Sequence, residues 1–62
     1  MVVGSTWKDK YQKNTRTYII MDIYLEFFDK DNWWIKFYDV EGRGHQRVTE
    51  KSFLKMFKKI KE

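Results

Sequence analysis

No cysteine occurs anywhere in this chain of 62 residues, so no disulfide can tie its fold together. His45 is the one other soft metal ligand, which leaves too few donors for a structural zinc site. A chain this short forms a single domain over residues 1–62 and buries only roughly 60% of the surface its unfolded form exposes. Stability must therefore come from side chains that each remove much apolar area from water. Three Trp, four Tyr and five Phe supply that mass, since a buried ring covers on the order of 150–250 Å².

The order of periodicities reads as strands followed by one helix. Residues 3–9, with Val3 and Trp7 separated by polar residues, read as a short strand, and residues 10–14 as a mobile polar loop. Residues 16–24 are rich in β-branched and aromatic side chains. Their period of two puts Ile19, Met21 and Ile23 on the core face and Tyr18, Ile20 and Asp22 on the other. Asp29-Lys30-Asp31-Asn32 predicts a turn, because Asp and Asn bond readily to local backbone. Residues 33–40 form the strongest strand, with Trp33, Ile35 and Phe37 on one side and Trp34, Lys36 and Tyr38 on the other. Glu41-Gly42-Arg43-Gly44 predicts a hairpin turn, and residues 45–48 a returning strand.

After residue 48 the period changes. Thr49 is a helix N-cap candidate, and Phe53, Leu54, Phe57 and Ile60 make one helical stripe among lysines. The expectation is a C-terminal α-helix over about residues 50–61, with the strands within residues 3–48. Together they predict a small SH3-like β-barrel of three to five antiparallel strands, with α+β as the alternative.

Catalysis finds little support. A general acid–base centre needs a group that titrates near neutrality inside a pocket, and His45 stands alone beside a turn. Gly42-Arg43-Gly44 lacks the third glycine and the strand–helix setting of a phosphate loop. Asp29, Asp31 and Asn32 echo the start of a calcium loop, but neither the glycine nor the closing glutamate follows. The acidic set Glu26, Asp29, Asp31, Asp39 and Glu41 reads as solvated turn chemistry. A non-enzymatic module without cofactor or metal is expected. No apolar run approaches a membrane span, and the first residues lack the pattern of a secretory leader, so the expected location is the cytoplasm.

The charge is uneven. Residues 1–42 hold six Lys/Arg against seven Asp/Glu, whereas residues 43–62 hold seven against two. The net +4 thus belongs to the last third, which suits either a polyanionic partner or a solvated helix face. Aromatic residues alternate with basic ones on the second face of the strongest strand. Trp34, Lys36 and Tyr38, bordered by Arg16, Arg43 and Arg47, can offer rings to bases and charge to phosphates. Lys55, Lys58 and Lys59 add charge from the helix. The same rings can equally serve as core residues or as anchors of a protein–protein interface.

Two resemblances rest on these residues. Residues 33–39, the Gly-Arg-Gly turn, Arg47-Val48-Thr49-Glu50-Lys51 and the Lys-rich close resemble the small archaeal chromatin proteins. That resemblance implies an SH3-like barrel binding DNA in the minor groove through an aromatic and basic sheet. The Gly-x-x-Trp-x-Asp start at residues 4–9, Ile20-Met21-Asp22-Ile23, the Asp-x-x-Gly turn at residues 39–42 and Phe-Leu-x-x-Phe at residues 53–57 resemble short bacteriophage proteins. This second resemblance implies nucleic-acid handling, or binding and inhibition of a host protein in the host cytoplasm.

Overall fold

The computed structural model of the protein describes residues 1–11, 16–42 and 44–61. Its elements are β1 (Thr6–Asp9), β2 (Thr17–Glu26), β3 (Asp29–Asp39), β4 (His45–Thr49), α1 (Glu50–Met56) and β5 (Phe57–Lys61). The strands form one five-stranded antiparallel sheet in the order β4-β3-β2-β1-β5. Gly42 and Gly44, between β3 and β4, and Gly4, just before β1, take positive φ, where side chains with a Cβ are disfavoured. Of the loop expected over residues 10–14, residues 12–14 lie outside the described residues.

The core is aromatic, as the composition requires. Trp7, Ile20, Ile35, Phe37, Phe53 and Phe57 are buried together, with Tyr18, Ile23 and Val48 packed against them. Phe53 lies at the centre: it meets Trp7 edge-on at 4.9 Å, Phe37 at 5.2 Å and Phe57 at 4.7 Å between ring centroids. The one indole N–H in this cluster is satisfied, because Trp7 Nε1 donates to buried Ser5 Oγ at 2.8 Å. Ser5 Oγ donates in turn to the Val2 carbonyl.

The helix is shorter than the spacing predicts. Thr49 caps it as expected, its Oγ1 accepting from Ser52 N at 3.3 Å, but it ends at Met56 and the chain continues as β5. Two contacts stop it. Lys10 donates its backbone N–H to the Met56 carbonyl at 2.9 Å and its Nζ to the Leu54 carbonyl at 2.7 Å. Those oxygens would otherwise be unsatisfied at a helix end. Pairing residues 57–61 with β1 also satisfies an edge of β1 that a longer helix would leave bare. Of the predicted stripe, Phe53 and Phe57 reach the core, whereas Leu54 and Ile60 are exposed, because β5 turns the chain out of the helix after Met56.

The turn between β2 and β3 falls two residues early, at Phe27-Phe28 rather than Asp29-Lys30-Asp31-Asn32. The local polar bonding is present nonetheless: Asn32 Nδ2 donates to both Asp29 carboxylate oxygens, at 3.1 and 3.2 Å. It is accommodated as an irregularity of the ladder, which passes from Leu25↔Trp33 to Glu26↔Asp29.

On β2 the expected faces hold only in part. The ladder skips Met21, between Ile20↔Phe37 and Asp22↔Lys36, and the bulge shifts the alternation by one residue. Tyr18 and Ile20 therefore face the core before the bulge and Ile23 after it. Met21 is exposed, and Ile19 takes the outer face opposite Tyr38. The assignment of Ile19 and Met21 to the core and of Tyr18 and Ile20 to the outer face is thus corrected. On β3 the alternation is unbroken from Trp33 to Asp39, and Ile35 and Phe37 are buried as expected.

Candidate nucleic-acid interface

The outer face of the sheet is set by the pleat. Because Ile35 and Phe37 point into the core, Trp34, Lys36 and Tyr38 leave β3 on the other side. Across the ladder they stand opposite Thr49, Arg47 and His45 of β4, and opposite Tyr24, Asp22 and Ile19 of β2. Lys36 and Arg47 are thus directly opposed, a like-charge pair that weakens a ladder.

Arg47 relieves part of that repulsion by turning along the strand. Its Nη1 reaches Glu26 Oε1 at 2.8 Å, and its guanidinium lies 5.9 Å from the Trp34 ring centroid. The Tyr24 phenol beside it and then the Glu26 carboxylate raise its pKa above the ordinary value. The Arg47 guanidinium is cationic throughout the neutral range. Among the described residues Lys36 makes no ion pair, and Asp22, its neighbour on β2, accepts from the Ile23 backbone N–H at 2.9 Å.

A second like-charge pair lies on the same face. Lys8 of β1 stands opposite Lys58 of β5, and their neighbours Trp7 and Phe57 are buried, which directs both lysines outward. Lys8 was not legible as a site residue, because only the β1–β5 pairing brings it beside Lys58. Tyr24 keeps the outer face that the alternation through Ile23 gives it, and the β2–β3–β4 registers bring it beside Lys36 and Arg47. Tyr24, Lys36, His45, Gln46 and Arg47 line an open depression of about 380 Å³. A second, of about 350 Å³, adjoins it through His45 and is bounded by Tyr38, Asp39 and Gly42.

The remaining predicted residues are placed as follows. Trp34 is not a free stacking platform: Phe28 meets its ring edge-on at 5.8 Å and Arg47 lies over it. Its Nε1 is buried without a hydrogen-bond partner among the described residues. Arg16 precedes β2, beyond the Tyr38 end of the face. Lys55 belongs to the last turn of α1, and Lys59 to β5 opposite buried Trp7, so neither joins the outward set. Arg43 lies outside the described residues.

The acidic side chains do not gather. Glu26, Asp29 and Asp31 mark one end of β3, and Asp39 and Glu41 the other, roughly 30 Å of strand away. Among the described residues no three His, Asp or Glu side chains could hold a metal ion together. No helix among the described residues is long and apolar enough to cross a membrane. The chain matches no known protein-family model, no curated protein and no solved structure.

Proposed function

We propose that this chain is a non-enzymatic nucleic-acid-binding module of SH3-like architecture. The strand order β4-β3-β2-β1-β5, with a helical turn between the last two strands in sequence, supports that architecture. The observation that carries the function is the pair of like-charge couples, Lys36/Arg47 and Lys8/Lys58, on one sheet face. Each couple costs stability when nothing lies between the charges. A polyanion reverses the sign of that cost, since phosphates placed along the face screen both couples at once.

The reading is mainly electrostatic. Phosphates contact Lys36, Arg47, Lys8 and Lys58, while Tyr38 and the depression beside His45 meet sugar or base edges. Trp34 holds Arg47 in place instead of stacking on a base. Binding of this kind tolerates many sequences and releases counterions.

Fluorescence anisotropy of labelled duplex and single-stranded oligonucleotides, titrated across a salt series, tests it. Four phosphate contacts predict a slope of log K against log salt of about −3 to −4 on duplex DNA. Each of Lys36→Ala, Arg47→Ala, Lys8→Ala and Lys58→Ala should reduce that slope by about 1. Absence of binding at low salt would remove the proposal.

A further inference from the structure

The strands β2 and β3 outrun the rest of the sheet. β1 pairs with β2 only as far as Ile19, with Gly4 and Ser5 adding bonds to Ile20, and β4 pairs with β3 only from Trp34 to Tyr38. Among the described residues, no strand flanks β2 beyond that point or β3 before Trp34. Residues 25–33 therefore project as a two-stranded ribbon, consistent with principal extents of 34 × 21 × 20 Å. Such a ribbon is marginal in water unless it packs against something.

Its tip is apolar and acidic. Phe27 is 90% exposed, Phe28 67%, Leu25 51% and Trp33 48%. Their bare area is roughly 500 Å², taking ~150–250 Å² for each ring, and a covered patch of that size is a large share of the ~800 Å² per partner of a stable interface. Residues 25–33 carry Glu26, Asp29 and Asp31 against Lys30, a net of −2, with Glu26 paired to Arg47. Asp29 and Asp31, away from Arg47, set the far end of the tip apart from the phosphate-binding face.

The opposite sign lies at the other end of the same chain. Residues 50–61 hold five lysines against Glu50, a net of +4, and leave Leu54, Met56 and Ile60 exposed. β5 is a terminal strand of the sheet, so its outer edge has no ladder partner among the described residues. Its lysines repel a second β5 and admit an acidic strand instead, so the edge is selective.

We propose that the β2–β3 tip of one molecule docks on the α1–β5 surface of a second copy of this chain, with Phe27 and Phe28 as anchors. The contact is head-to-tail, and each molecule keeps one unused half. Association thus continues into rings or open chains. The inference is independent of nucleic-acid binding, and its test contains no nucleic acid.

Sedimentation velocity of the whole chain over a concentration series, at low and high salt, tests the contact. The weight-average mass should rise above the 7.8 kDa of one chain at low salt and fall back at high salt. A tip variant (Phe27→Asp with Phe28→Asp) and a tail variant (Lys55→Glu with Lys61→Glu) should each remain monomeric. An equimolar mixture of the two should return a one-to-one dimer, because each retains the half that the other lacks. Circular dichroism checks the fold of both, and Asp29→Lys with Asp31→Lys serves as a second tip variant should the first lose its fold. A wild type that stays monomeric at every concentration overturns the proposal. So does a mixture that forms no dimer, or a variant that associates as the wild type does.

Discussion

Lys58 stands directly opposite Lys8 in the ladder between β5 and β1, and both side chains leave the sheet on the face away from the core. Like charges in that relationship destabilise a sheet by a few tenths of a kcal/mol to about 1 kcal/mol. The pair thus gives stability and binding opposite preferences. Lys58→Glu should raise the unfolding free energy by about 0.2–1 kcal/mol, read by urea denaturation. The same change should weaken oligonucleotide binding and flatten its salt dependence by about 1 to 2 in slope, as one cation is lost and one anion gained. A variant that becomes less stable, or binds as before, would separate Lys58 from both roles.

Trp34 carries a buried indole N–H with no hydrogen-bond partner among the described residues. An orphaned donor of that kind costs about 1–3 kcal/mol. Trp34→Phe removes the donor and keeps a ring for Phe28 and Arg47 to contact. Its stability should stay within about 1 kcal/mol of wild type or exceed it, offsetting the smaller ring. A loss above about 2 kcal/mol would show that the N–H is satisfied in solution.

Phe53 is fully buried among three other rings. Truncating such a residue costs about 3–5 kcal/mol, as much as a core of this size supplies. Phe53→Ala should abolish the cooperative thermal transition by circular dichroism. Phe27→Ala, at a side chain 90% exposed, should leave the transition in place.

Legibility followed the interruptions of the pattern. β3 could be read from Trp33 to Asp39 because nothing breaks its alternation, and the outward triplet Trp34, Lys36 and Tyr38 followed directly. β2 could not, because no glycine or proline marks the bulge at Met21 that exchanges its faces. Thr49 announced the helix start through its own cap chemistry. The helix end depends on Lys10, far away in sequence, whose bonds to Leu54 and Met56 no local pattern contains. The same non-local pairing hid Lys8. Local rules thus reached the centre of the candidate face, and its far side required the sheet order.

The central claim is that nucleic acid lies on the outer face of the sheet. Backbone amide chemical-shift mapping of the isotope-labelled protein, titrated with a short DNA duplex at low salt, tests it most directly. The account predicts shifts concentrated at Lys8, Lys36, Tyr38, His45, Arg47 and Lys58, with residues 27–33 silent. Shifts centred on Phe27 and Phe28, or none at saturating duplex, would contradict it.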